Sequence, residues 1–290
     1  MSICSLSGGN ILIGRQQAMQ ALSYRASALA RVTPVVCIGA TTAPKPFIRG
    51  LSARASAAME KVSFGSSGAT GYEAGPKGSP AVVVLQEWWG VNDIIKEHAH
   101  LIAEAGNFRV LIPDLYKGKI GVDAEEASHL MNNLDFKAAV GQMSEAVAYL
   151  HSSGSAKVGV CGFCMGGALS FAAAQHAGVD CAAPFYGIPD PAICDPAAIK
   201  VPVQAHFGKL DTMQGFSDPE SIKKVVDSMK AAGASVELFM YDGSGHAFMN
   251  ALTEKGRAKI KEIRQAEPPE AEPKQAFDRL ITFLKQHLSA

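Results

Sequence analysis

The sequence predicts an α/β fold with a mostly parallel central sheet and helices on both faces. Two patterns carry this. From residue 60 onward, short apolar runs rich in β-branched residues alternate with stretches of helical periodicity, and one run passes directly into a glycine-rich turn and a further helix. The composition, 48% hydrophobic and 19% charged over 290 residues, can bury the core that such a sheet requires. No internal repeat divides residues 60–290, which read as one domain.

In chain order, AVVVLQ at 81–86 reads as a strand buried on both faces, followed by the loop EWWG. Residues 92–105 place Ile94, Ile95, His98, Leu101 and Ile102 on one helical stripe that ends at Gly106. A strand follows at about 108–112 and is closed by Pro113. Residues 123–152 read as helical, with Ala139, Met143, Val147 and Leu150 on one face. KVGVC at 157–161 is the next strand, and ALSFAAAQHA continues from it as a helix of small and apolar residues that can approach a sheet closely. Further strands are expected at about 180–185, 201–206 and 235–240, with an amphipathic helix at about 218–232. After the charged, Pro-rich AEPPEAEP, a last helix carries Phe277, Leu280, Ile281, Leu284 and Leu288 on one stripe.

Charge is unevenly distributed. Residues 1–59 hold Arg15, Arg25, Arg31, Lys45, Arg49 and Arg54 and no acidic residue, which leaves 21 basic against 27 acidic residues in the remainder. A mildly acidic body argues against nucleic-acid partners or an anionic membrane surface. The first segment is rich in Ser and Ala with spaced Arg, and reads as an organelle transit peptide cleaved near LSARASAAME; a basic tail is the plainer alternative. Its Thr, Pro and Gly content suits a chloroplast, while QQAMQALSYRASALARV could form the Arg-bearing amphipathic helix of a mitochondrial signal. Its apolar runs are too short to span a membrane.

Outside that segment lie Cys161, Cys164, Cys181 and Cys194. Cys161 and Cys164 have CxxC spacing, but a structural zinc site needs a second ligand pair and none follows. A thiol redox pair stays open as one reading. The glycines around Cys164 support another. VGVCGFCMGGALS at 158–170 runs strand, G-x-nucleophile-x-G turn, helix, the nucleophile elbow of the α/β-hydrolase fold. Such a turn strains its central residue, and Gly162 and Gly166 must be small where chain segments crowd. Cys164 then stands at a helix start, where the dipole favours a thiolate, and the Met165 N–H can bind an oxyanion.

In this fold the nucleophile is followed along the chain by an acid and then a His. Asp211 in FGKLDTM lies just past a strand end, where open α/β sheets build their sites, and His246 lies in the Gly-rich YDGSGHAFMN. Asp242 suits a turn and Asp218, before Pro219, a helix N-cap. His98 and His100 are spaced i, i+2 on a helix and do not share a face, and His206 suits packing. HExxH, EF-hand and Walker motifs are absent, so neither a metal nor a cofactor is expected.

GFCMGG, QEWWG, PDLY, LD before a helix, and GHAF occur in an order that resembles the dienelactone hydrolase (carboxymethylenebutenolidase-like) family over roughly residues 60–290. The resemblance implies Cys164 as nucleophile, Asp211 as His-orienting acid, His246 as general base, Glu87 as a second acid beside the thiol, and the Trp88 N–H as a second oxyanion donor. The family's two carboxylate-anchoring arginines are missing: Lys117, Gly118 and Lys119 follow PDLY, and Asn250 stands four residues after the His. The expected activity is hydrolysis of a small ester, lactone or thioester through an acyl-cysteine intermediate by a monomeric enzyme. Two other readings are a non-catalytic binding module on this fold and a redox protein using Cys161 and Cys164.

Overall fold

The computed structural model describes residues 59–289. The expected transit segment lies outside these residues. Eight strands form one sheet in the order β1-β2-β4-β3-β5-β6-β7-β8. They are β1 (Glu60–Phe64), β2 (Ala69–Ala74), β3 (Ala81–Leu85), β4 (Arg109–Pro113), β5 (Val158–Phe163), β6 (Cys181–Phe185), β7 (Val203–Gly208) and β8 (Val236–Tyr241). From β4 through β8 every pairing is parallel, while β1 pairs antiparallel with β2, and β2 with β4. Strands β3 to β7 are wholly buried, as unbroken apolar runs require.

Among the described residues, seven α-helices connect and cover the sheet: α1 (Asp93–Gly106), α2 (Ala124–Asn132), α3 (Phe136–Ser152), α4 (Met165–His176), α5 (Pro219–Ala231), α6 (Glu254–Glu262) and α7 (Ala271–Leu288). Side chains alternate across β5 and reveal the two layers. Gly159 faces Leu284 and Leu288 of α7, whereas Gly162 faces Gly166 of α4. Helices α1 and α7 cover the first face, and α3, α4 and α5 the second.

Several expectations need correction. The hairpin β1–β2 is additional; β1 is mostly exposed, so its sequence lacks the apolar signal of the central strands. Residues 123–152 form two helices, because Asp123 and Asp135 each cap a helix start, accepting from Glu126 N at 2.9 Å and Ala138 N at 3.0 Å. The left-handed residue closing α1 is Asn107 (φ 53°), while Gly106 is the last helical residue and makes room for the Phe108 ring. Pro113 is the final residue of β4 rather than a position beyond it. The last helix begins at Ala271, inside the stretch read as loop, and α6 was not anticipated.

A buried ion pair fastens the antiparallel edge to the parallel sheet. Arg109 of β4 meets Glu73 of β2 at 2.6 Å, with Ser153 Oγ 2.7 Å from the guanidinium and Tyr149 donating to the other Glu73 oxygen at 2.9 Å. Burial alone would raise the Glu73 carboxyl, but these hydrogen bonds and the Arg109 charge hold it below its ordinary value.

Candidate active site

The carboxyl ends of β3, β5, β7 and β8 carry Glu87, Cys164, Asp211 and His246 in the loops that follow them, the crevice where open α/β sheets place ligands. Between β5 and α4 the chain turns at Cys164 with φ 56° and ψ −115°, a conformation costly for a residue with a side chain. Backbone crowding enforces that turn. A Cβ on Gly162 would strike the Gly166 carbonyl, one on Gly166 the Leu85 and Gln86 carbonyls, and one on Gly167 the Phe185 carbonyl. Cys164 N–H donates to the Phe185 carbonyl at 3.1 Å, pinning the turn to the end of β6.

Cys164, 3% exposed, points its Sγ at His246 Nε2 at 3.2 Å. On the opposite side of the ring, His246 Nδ1 lies 2.8 Å from Asp211 Oδ2 and 3.1 Å from Ser217 Oγ. The remaining Asp211 oxygen accepts from Met213 N at 3.1 Å, which fixes the carboxylate plane. Burial alone would favour a neutral imidazole, but the charges of Asp211 and Cys164 outweigh it and hold His246 well above its ordinary value. Such a ring can hold a proton taken from a neighbouring group.

The loop holding His246 is tightly specified. Ala247 takes the left-handed conformation (φ 61°), and Gly208 at the end of β7 lies against the Ser244 and Gly245 carbonyls, leaving no room for a Cβ. From the first turn of α7, Glu272 accepts from Gly243 N at 2.9 Å and Ser244 Oγ at 2.6 Å. Two tyrosines close the site. The Tyr186 ring meets His246 edge-on at 5.1 Å, and burial together with Glu87, Cys164 and Asp211 pushes its hydroxyl far up. Tyr116 donates to Met165 Sδ at 3.4 Å, and burial and Cys164 push its hydroxyl up.

Glu87 is brought to the same site, 7% exposed, with Asn250 Nδ2 at 3.3 and 3.5 Å from its two oxygens. Met165 is the first residue of α4, so its N–H has no partner within the helix. Trp88 is half-buried in the loop after β3, and its ring meets Trp89 edge-on. Lys117 and Lys119 are exposed on the loop after β4. Leu210 and Ile120 are apolar and exposed, Leu210 next to Asp211 and Ile120 beside Gly90.

The rival residues sit elsewhere. Asp242 pairs with Lys209 at the surface, and Asp218 caps α5 by accepting from Ser221 N at 3.0 Å. His206 stacks on Phe185 in the core, where burial pulls it down to about 3. Buried His98 is pulled down to about 4. Cys161 lies in mid-strand with the parity of Gly159, on the α7 face of the sheet, and burial pushes its thiol far up, a poor environment for thiol exchange. Among the described residues, no group of three or more His, Cys, Asp or Glu side chains is placed to hold a metal. Nor is any helix there long and apolar enough to cross a membrane.

Sequence reasoning missed Ser217, Tyr186 and Glu272. Ser217 has no motif of its own. Tyr186 follows β6 at φ 35°, the place of a functional residue in such sheets, and only that position could have flagged it.

A mostly parallel sheet with a strained, glycine-flanked turn from β5 into a helix is the architecture of the α/β-hydrolase enzymes. The chain belongs to the dienelactone hydrolase family, whose model matches residues 69–288. It is a carboxylic ester hydrolase acting on lactones or esters. It is 32% identical over 235 residues to protein usf of Aquifex pyrophilus, covering 76% of this chain and 94% of the relative. It is 28% identical to a carboxymethylenebutenolidase of Pseudomonas putida over 182 residues, 59% of this chain and 75% of the relative. A dienelactone hydrolase-like promiscuous phosphotriesterase from metagenomic libraries shares its fold with a TM-score of 0.63 at 22% identity, covering 80% of this chain and 100% of that one.

Proposed function

We propose that the protein hydrolyses small neutral esters, lactones or thioesters through an acyl-cysteine intermediate. The line from Cys164 Sγ to His246 Nε2 to Asp211 Oδ2, at 3.2 and 2.8 Å, is the observation that carries this reading. His246 Nε2 takes the thiol proton and the thiolate adds to the acyl carbon. Backbone N–H groups of Met165 and Trp88 hold the resulting oxyanion. Collapse breaks the bond to the leaving oxygen or sulfur, which takes the proton from His246. Water then gives a proton to His246 and attacks the acyl carbon, releasing the acid as the proton returns to the thiol.

Charge distinguishes substrates. A guanidinium fork holds a carboxylate by two hydrogen bonds, whereas exposed Lys117 and Lys119 offer mobile point charges and Asn250 offers none. Neutral substrates are therefore expected to have kcat/KM at least equal to that of carboxylated analogues of similar size. Assaying a matched acid and neutral pair checks this. A preference above about tenfold for the acid, about 1.4 kcal/mol of transition-state binding, would show that another cation has taken over the anchor.

We further propose that residues 1–59 direct import into an organelle, a chloroplast ahead of a mitochondrion, because spaced Arg without any acid suits import and not a core. N-terminal sequencing of the imported protein is expected to begin near residues 55–60. Met1 on the functional protein would overturn the proposal.

A further inference from the structure

The two edges of the sheet are built differently. At one end β1 carries Glu60 and Lys61 and is exposed along most of its length, which deters another strand from pairing with it. At the other end β8 reads VELFMY, and its single charge is Glu237. It has β7 on one side and no strand on the other. Val203 N–H donates to the Ser235 carbonyl at 2.9 Å and Lys209 N–H to the Tyr241 carbonyl at 2.8 Å, so by alternation Glu237, Phe239 and Tyr241 bond to β7. Val236, Leu238 and Met240 therefore turn their N–H and carbonyl groups away from the sheet, and their side chains, on the face covered by α5, are only half-buried. The opposite face of β8 is more open. α7 packs over β5, β6 and β7, and beside it lies a groove of about 500 Å³ lined by Gln204, Glu237, Phe239, Lys274, Asp278 and Arg279. Arg279 reaches from α7 over the Phe239 ring at 4.1 Å, and among the described residues no carboxylate pairs with it. Gln204 Nε2 donates to Glu237 Oε2 at 3.1 Å, which holds that carboxylate on the same face.

We propose that β8 pairs antiparallel with β8 of a second copy of this chain, across a two-fold axis at Leu238, which joins the two sheets and makes the protein a dimer rather than the monomer expected from its sequence. In this register Leu238 lies opposite the partner's Leu238 and Val236 opposite the partner's Met240, so the outward N–H and carbonyl groups of all three residues find backbone partners. A two-fold axis requires a surface that matches itself, and here the charges do. Glu237 comes opposite the partner's Phe239, beside the partner's Arg279, and symmetry repeats the pair on the other side of the axis. Neighbouring registers fit less well. An axis at Glu237 sets the two glutamates against each other, and an axis at Phe239 leaves Val236 opposite the partner's Asp242, beyond the strand. Pairing also covers the half-buried Val236, Leu238 and Met240 on one face and the groove on the other.

Sedimentation of the full chain at about 50 μM is expected to show a dimer. Glu237→Lys brings like charges together on both sides of the axis and should raise the dissociation constant about tenfold or more, with the circular dichroism of the wild type retained because the side chain is exposed. Arg279→Glu should weaken the dimer likewise. Joined to Glu237→Lys it reverses both charges, and the constant should return to within about threefold of wild type. If Arg279→Glu fails to fold, Glu237→Lys is compared with Glu237→Gln, and Glu237→Lys should give the weaker dimer. Hydrogen exchange from the 236–241 peptide should quicken on dilution, as the outward amides lose their partners. A chain that stays monomeric overturns the proposal, whether the groove is empty or covered by the chain's own residues. So does a dimer indifferent to Glu237→Lys, or one whose 236–241 peptide exchanges equally fast when concentrated and dilute, because either would place the interface elsewhere.

Discussion

Cys164→Ala is expected to abolish ester turnover, by about 10⁴-fold or more, with the fold intact. The turn already holds a residue with a Cβ at φ 56°, so Ala adds no backbone strain that Cys lacks. Its stability cost is that of one missing sulfur, about 1 kcal/mol, and the melting temperature should move by a few degrees at most. Chemistry, by contrast, loses its nucleophile outright, because the acyl group has no other acceptor at the helix start. Steady-state assays, with rapid-quench mass spectrometry to look for an acylated chain, measure both halves. Wild-type turnover in the Ala variant, or an acyl adduct on another residue, would end the acyl-cysteine mechanism.

The second large effect is expected at Asp211. Asp211→Asn keeps the shape of the side chain but can present an N–H to His246 Nδ1. The ring then carries its proton on Nε2, aimed at Cys164 Sγ, and cannot receive the thiol proton. A loss of about 10³ to 10⁴ in kcat follows from that wrong tautomer. Ser217 Oγ, 3.1 Å from the same nitrogen, offers a second acceptor and should keep the loss below that of Cys164→Ala. Turnover within about tenfold of wild type would mean that Asp211 is not the orienting acid.

The readable parts of the fold were those where local chemistry and tertiary role coincide. β3 and β5 announce themselves as AVVVL and VGVCGF because a strand buried on both faces must be apolar throughout. Gly162, Gly166 and Gly167 announce the elbow because neighbouring backbone leaves no space for a Cβ. Asp218 could be read as a cap from its own sequence, and it accepts from Ser221 N as expected. What escaped notice depends on partners distant in the chain. β1 is exposed along most of its length, and α6 is a highly charged segment with only Gly256 and Ile260 buried, so neither shows the usual periodicity. Glu73 and Arg109 look like ordinary surface residues until the sheet brings them together 36 positions apart. Ser217 and Tyr186 acquire a role only through where β6 and α5 end and begin, which no local pattern encodes.

The hold of Glu272 on the His246 loop bears on how the enzyme comes into being. Cys164, Asp211 and His246 all precede α7 along the chain, yet the loop that aims the imidazole is tied to the first turn of that last helix. Two hydrogen bonds to a charged acceptor contribute about 1.5–3 kcal/mol each, enough to decide whether a loop has one shape or many. During synthesis the thiol and its elbow can therefore form early, while the base is aimed only once the final helix has packed beneath it. On the cysteine-hydrolase reading proposed above, a nascent chain would hold its thiol without an aimed base until α7 has packed.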